Sequence, residues 1–413
     1  MVRLSLCRAR YPASGRRKPP DAGYRARRGR PGGRFPSGPG GYPAAPAAEG
    51  DSVSGTDGLR VVVTGATGNV GTSVLARLAE EPGVASVLGI SRREPGGLPG
   101  GARWAGADLG RPESEAELTG LLRGADVVVH LAWLIQPTHA PQITWETNVR
   151  GTERLLRAMA AAGVPALVYA SSVGAYAPGP SDDPGARVDE AWPTHGWPEA
   201  AYSREKAYVE RLLDTFERDH PGIRTVRMRP AFMFKRESAM EQRRLFGGPV
   251  VPNALVRPEL LPVVPEVPGL RFQVLHTADA ADAFVRAVVR PVSGAFNLAA
   301  EPVVDAGVLA GLLSARPVRV PAPPLRAAVS LAWHLRLVPS SPYLFDAFLR
   351  LPLMSTLRAR RELEWEPKAS ATGTLTEFLA AFRHGEGMDS PPLRPALPGG
   401  RLRELAALVR GRP

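Results

Sequence analysis

Short β-branched runs alternate with stretches whose apolar residues recur every three or four positions, and this alternation fills the middle of the chain. Arg60 to Val63 reads as a buried parallel strand and Val84 to Ile90 as a second, with helical spacing over Thr72 to Glu80 between them. That is a βαβ unit. A short apolar stretch before Ala107 and Asp108 predicts a third strand, Glu115 to Leu122 a helix, and Asp126 to Leu131 a fourth strand. Thr147 to Ala162 is then a long helix, Ala166 to Ala170 a fifth strand, Tyr202 to Asp219 a helix and Ile223 to Met228 a sixth strand. Strand and helix taken in turn predict an α/β protein with a Rossmann-type, doubly wound parallel sheet.

The pattern changes after Pro230, where prolines and irregular stretches run as far as Leu270. Short strands follow at Phe272 to Leu275 and Ala295 to Leu298, with a helix at Asp279 to Val289 between them. Small amphipathic helices are expected at Leu325 to Leu337, Pro342 to Leu351 and Gly373 to Arg383. Residues 59–230 are therefore read as the Rossmann domain. Residues 231–385 are read as a smaller C-terminal α/β lobe that returns some elements to the main sheet, and 386–413 as a flexible tail with one helix at Leu402 to Val409.

Charge sharpens the other end of the chain. The net charge is +12, yet residues 1–50 hold eleven Lys and Arg against two Asp and Glu, which leaves the remainder at only +3. An Arg/Gly/Pro-rich segment cannot bury enough apolar surface to offset its ordering entropy, so residues 1–58 are expected to be a disordered basic tail, or to precede the true start. A polyanion-binding tail is an alternative, with no specific nucleic acid implied. The single cysteine, Cys7, gives neither a disulfide framework nor a thiolate metal site, and no metal is expected. No stretch approaches the roughly 18 apolar residues of a membrane span. A cytoplasmic setting, away from membranes, is the expectation.

Candidate chemistry begins at Gly65-Ala66-Thr67-Gly68-Asn69-Val70-Gly71, where the first strand breaks into three glycines spaced by three. Read alone, such a turn can also be ordinary loop punctuation, the less favoured alternative. Between a strand and a helix it lets the backbone approach a pyrophosphate and points the positive end of a helix dipole at it, the physical logic of dinucleotide binding.

Two further groups fall where such a crevice would open. Tyr202 and Lys206 stand four residues apart, on one helix face. A cation roughly 5 Å from the phenol, at an effective dielectric near 20, is worth about 3 kcal/mol, or roughly two pKa units off a tyrosine's usual ~10. Tyr202 would then serve as an acid/base near neutrality. Ser171-Ser172 follows the fifth strand and would point a hydroxyl into the same crevice.

In this order the motifs resemble those of the extended short-chain dehydrogenase/reductases, the NAD-dependent epimerase/dehydratase group, over roughly residues 59–385. Asp108-Leu109, His130-Leu131-Ala132, Asn148-Val149-x-Gly151-Thr152, Ser171-Ser172-x-x-x-Tyr176, Tyr202-x-x-x-Lys206 and Arg229-Pro230 match the pattern. His276-Thr277-Ala278-Asp279 with Asn297 echoes the segments around the substrate lobe. The resemblance implies that the turn from Gly65 to Gly71 cradles the pyrophosphate and that Asp108, beside Leu109, accepts from the adenine amino group. It has Leu131, Ala132 and Trp133 pack along adenosine and ribose, with Pro230 also at the cofactor. Lys206 would hold the nicotinamide ribose, Ser172 would bond the substrate oxygen, and Tyr202 would exchange a proton with it. Asn148 would prop the active-site backbone or a water, and a homodimer through the helices of Asn148 and Tyr202 would fit the group.

Departures from the pattern narrow the expectation. An acidic residue usually ends the second strand, but here Ser91-Arg92-Arg93 stands there, and arginine pairs with a 2′-phosphate where a carboxylate repels it. NADP is therefore expected ahead of NAD. Val173 and Gly174 occupy the positions of the Asp-Glu pair found in dehydratases of the group, which turns the expectation to a reductase or epimerase acting on a small-molecule alcohol or ketone. A non-catalytic NAD(P) sensor of the same fold is the alternative. His130, ending a buried strand, is read as a packed, hydrogen-bonded core residue.

Overall fold

A computed structural model describes residues 58–180, 182–183, 185–248, 261–397, 399–400 and 404. The expected N-terminal tail before Gly58, and the expected helix at 402–409 apart from Glu404, lie outside them. Along the chain the strands are β1 (Leu59–Thr64), β2 (Val84–Ser91), β3 (Arg103–Gly106), β4 (Val127–His130), β5 (Ala166–Ala170) and β6 (Arg224–Pro230). After them come β7 (Phe232–Phe234), β8 (Arg271–His276), β9 (Gly294–Leu298) and β10 (Ala300–Asp305).

Seven of these strands pair in parallel in the order β9-β6-β5-β4-β1-β2-β3. The order reverses between β1 and β4, so a crevice opens beyond their carboxyl ends. β7, β8 and β10 form a separate three-stranded sheet, while β9 returns to the main one.

Alternation within each strand explains why the sheet is covered on both faces. Val61 and Val63 pack with α1 (Asn69–Ala79) and the later helix at Thr277–Val289, whereas Val62 faces α2 (Ser114–Leu122), α3 (Gly151–Ala162) and α4 (Ala201–Asp219). A strand apolar on both sides belongs in such a layered sheet. The helix Thr277–Val289 is labelled α5.

Differences from the periodicity reading fall at element ends. α1 starts at Asn69, within the glycine motif, rather than at Thr72, because a cap of glycine carries no apolar signal. The helix expected from Thr147 begins at Pro141, a favoured first position, and runs through a π-helical turn at Glu146–Arg150 into α3. Val263–Glu266 and Arg316–Arg319 pair as short parallel strands that the pattern did not announce, being mostly exposed and proline-containing.

Within the expected tail from residue 386 onward, the described stretch 386–397 is not loose. Leu393 is fully buried, Ser390 nearly so, and the segment is pinned by bonds from Arg236 to Glu386 and from Arg244 to the Pro392 carbonyl. Proline-rich composition suggested a tail, but a few well-placed contacts suffice to dock it.

Candidate active site

The glycine turn owes its shape to close backbone approach. Gly65 has φ +71°, and a Cβ there would stand 2.7 Å from the Ala132 nitrogen and 2.8 Å from the Leu131 carbonyl carbon. The end of β4 therefore lies against the turn. A Cβ on Gly71 would collide with the Gly65 oxygen, and its absence lets α1 begin directly on the turn. Gly68 is the N-cap, and no side-chain oxygen caps the first-turn amides. Such a cradle fits a pyrophosphate: bare amides at the positive end of an eleven-residue helix.

Its other members are held from the lobe. Asn69 Nδ2 donates to the Met233 carbonyl at 3.1 Å, and Lys235 Nζ donates to Thr72 Oγ1 at 2.7 Å and Ser73 Oγ at 3.0 Å. Ala66 is fully buried, Thr67 nearly so, and Val70 packs on the core behind the turn. Past β2, Ser91 donates to the Arg93 carbonyl and accepts from Trp104, so its hydroxyl shapes the loop. Arg92 and Arg93 are exposed. Asp108 Oδ1 accepts from the Gly110 amide, while the Leu109 side chain belongs to the core.

At the carboxyl end of β5, Ser172 caps a short 3-10 turn, its Oγ accepting from the Gly174 amide at 3.0 Å. The Ser172 side chain bears on the Tyr202 phenol and favours its ionised form. A Cβ on Gly174 would lie 2.8 Å from the Tyr202 ring and 3.4 Å from Ser172 Oγ, so glycine here makes room for the pair. Ser171, next door, donates to the buried carboxylate of Glu210 at 2.6 Å. Glu210 also pairs with Arg229 and Arg227, whose guanidiniums and the Ser171 bond outweigh burial and hold its pKa down at about 2. Pro230, at the end of β6, is buried beside them.

Lys206 departs from the expectation. Its Nζ donates to the Ala170 carbonyl at 2.6 Å and sits over the Trp133 ring, 3.4 Å from the centroid. Burial holds its ammonium well below the ordinary lysine value, with Glu210 and Glu205 opposing. Tyr202 is not lowered: burial pushes the phenol up, the Ser172 side chain opposes, and the charge of Glu205 adds to the rise. The four-residue spacing put both groups on one helix face, but the nearest strong acceptor and an aromatic face drew the ammonium away. Trp133 likewise lies at this end, edge-on to Tyr202 at 6.1 Å. Its indole thus stands beside both Tyr202 and Lys206.

His130 is a core residue, with Thr64 Oγ1 2.7 Å from Nδ1 and Thr152 Oγ1 2.9 Å from Nε2. Among the described residues no group of three or more His, Cys, Asp or Glu could hold a metal, and no helix is long and apolar enough to cross a membrane. Sequence reading passed over Glu205, although it lies inside the Tyr-x-x-x-Lys motif. A glutamate on a helix is usually solvated, and only its burial marks it out.

The parallel sheet, the glycine turn at its switch point and the hydroxyl pair at its carboxyl end define a Rossmann-type fold. Residues 61–299, more than half of the chain, match the NAD dependent epimerase/dehydratase family, and the chain belongs to that family. It is 27% identical over 332 residues to an uncharacterized protein of Mycobacterium tuberculosis, covering 80% of this chain and 31% of that protein. The chain thus spans about a third of the length of that curated relative. A further relative is the 4-hydroxy-2-methyl-3-oxo-4-farnesyl-3,4-dihydroquinoline-1-oxide ketoreductase of Stigmatella aurantiaca, 32% identical over 176 residues, 43% of this chain and 51% of that one. Among solved structures, the UDP-glucose 4-epimerase of Thermus thermophilus in complex with NAD matches with a TM-score of 0.58 at 20% identity, over 79% of this chain and 99% of that one.

Proposed function

We propose that this chain is an NAD(P)-dependent oxidoreductase or epimerase that moves hydride at a secondary alcohol or ketone, with NADP ahead of NAD. The observation that carries the reading is the packing of Ser172 Oγ and the Tyr202 ring against the same glycine, where a Cβ on Gly174 would lie 3.4 Å and 2.8 Å from them, with Lys206 one helical turn further on. Membership of the family and a ketoreductase relative support it.

The chain's own residues divide the work. Ser172 donates to the substrate oxygen and orients it, and Tyr202, protonated because burial raises its pKa, gives its proton to that oxygen during reduction. In the reverse direction the phenolate recovers the proton from the alcohol. The dinucleotide, when bound, supplies or accepts the hydride. Its pyrophosphate would rest on the first-turn amides of α1, and Arg92 and Arg93 would reach a 2′-phosphate. Val173 and Gly174, where a dehydratase would carry acid and base, favour reduction or epimerisation over dehydration.

Thermal-shift measurement with NAD and NADP, then reduced-nicotinamide oxidation against hydrophobic ketones and nucleotide sugars, tests this. Tyr202→Phe is expected to abolish turnover and keep dinucleotide binding. Turnover that survives the substitution would sink the mechanism, and binding without turnover on any substrate would favour a sensor.

A further inference from the structure

Glu205 lies between the phenol and the ammonium on α4 and is only 1% exposed. A carboxylate buried to that depth persists only where donors meet it. Thr144 Oγ1 donates to its Oε1 at 2.6 Å, and Asn148 Nδ2 donates to its Oε2 at 2.7 Å. Asn148 is itself clasped by backbone: the Leu134 N–H donates to Oδ1 at 2.7 Å, and Nδ2 donates to the Leu134 carbonyl at 2.8 Å. Those two backbone groups fix which end of the amide is oxygen, so the nitrogen must face Glu205. A continuous chain of bonds therefore runs from α4 to the turn after β4. One residue back in that turn is Trp133, whose ring covers Lys206 Nζ.

We propose that Glu205 is a positioning residue of the active site, which through Asn148 fixes the turn that holds Trp133 over Lys206 and sets its negative charge beside the Tyr202–Lys206 pair. The inference rests on the dinucleotide reading of that site. Asn148 Nδ2 can only donate, so Oε2 acts as an acceptor, while Thr144 Oγ1 lies between Oε1 and the Pro141 carbonyl, 2.9 Å away. The charged groups bearing on it are Arg204 and Lys206, from its own helix, while the Pro141–Arg150 stretch contributes the neutral Thr144 and Asn148. The charge of Glu205 raises the pKa of both neighbours, with burial on Tyr202 and against burial on Lys206, where Glu210 acts in the same sense.

Glu205→Gln separates these effects. The amide keeps an acceptor for Thr144 but turns an N–H toward Asn148 Nδ2, which breaks the link at almost constant volume. Full-length Glu205→Gln, Asn148→Ala and the double variant are titrated with NADPH and NADH by nicotinamide fluorescence. Phenolate absorbance, as the difference from each protein's Tyr202→Phe counterpart, follows the ionisation of Tyr202. Each single variant is expected to weaken dinucleotide binding about tenfold, and the double variant to be no worse than either, because the two residues act as one unit. The Tyr202 phenol of Glu205→Gln is expected to ionise at lower pH. Losses that multiply in the double variant overturn the link, and an unmoved phenol titration overturns the charge effect. If Glu205→Gln does not fold, Asn148→Ala decides alone, and unaltered binding overturns the proposal. If the unmodified protein binds neither dinucleotide, the functional reading falls, while the phenol titration still tests Glu205.

Discussion

Ser390 Oγ donates a 2.5 Å hydrogen bond to the carbonyl of Thr67, across 323 residues of chain, so the C-terminal segment is tied to the glycine turn itself. Both residues are more than nine-tenths buried, and water cannot replace the lost donor without opening the contact. Ser390→Ala is expected to cost about 1–2 kcal/mol, the penalty of leaving a buried carbonyl unsatisfied. In a chain of this size that corresponds to a Tm lower by about 1–3 °C, measured by calorimetry. An unchanged Tm would mean that the segment adds nothing to the stability of the turn.

Gly174 tests how closely the hydroxyl pair is packed. A methyl group there would stand 2.8 Å from Tyr202 Cε1 and 3.2 Å from Cδ1, and a ring edge wedged in this way has to shift. Gly174→Ala is expected to lower turnover at least about tenfold while leaving dinucleotide affinity unchanged, since the glycine turn is not touched. Steady-state kinetics beside fluorescence titration separates the two. Full activity would show that the phenol need not stay where the structure holds it.

The sheet was legible because its strands are runs such as Val61-Val62-Val63 and Val127-Val128-Val129, and a doubly covered parallel strand demands apolar residues on both faces. Gly65, Ser172, Tyr202 and Lys206 were legible because their spacing follows turn and helix geometry. What spacing does not carry is direction. Lys206 is one turn from Tyr202, yet its Nζ goes to the Ala170 carbonyl and the Trp133 face, partners fixed by strands distant in sequence. Glu205 and the docked Ser390 segment were invisible for the same reason, because burial is a tertiary property.

Arg92 and Arg93 follow β2 and are exposed, and on the proposed reading they meet the 2′-phosphate of NADP. A charge-assisted bond of this kind is worth about 1.5–3 kcal/mol. Replacing both with glutamate is expected to weaken NADP binding at least about tenfold and to change NAD binding little. Thermal shift with each dinucleotide reads the outcome. An unmodified protein stabilised by NAD and not by NADP would overturn the assignment of these arginines.

His130 makes acid stability a readout of the core. Burial, with the Lys206 charge adding, lowers its pKa from 6.5 to about 3. Between those values the unfolded chain binds a proton that the folded one refuses, so stability is complete above about pH 6.5 and drains away as pH falls toward 3. Each pKa unit is worth about 1.4 kcal/mol. Glu210, lowered from 4.5 to about 2, adds a similar loss, but only below its unfolded value. Glu241, raised by burial to about 7, and His139, lowered by burial, also titrate above pH 5, but they do so in both proteins, so the difference between the unmodified protein and a His130 variant isolates this histidine. His130→Gln is expected to be less stable at neutral pH, because the bonds to Thr64 and Thr152 are disturbed, and to lose less stability on acidification. The gap in Tm between the two proteins should then narrow from pH 7 to 5. A gap that stays constant would show that His130 takes up its proton in the folded state as readily as in the unfolded one.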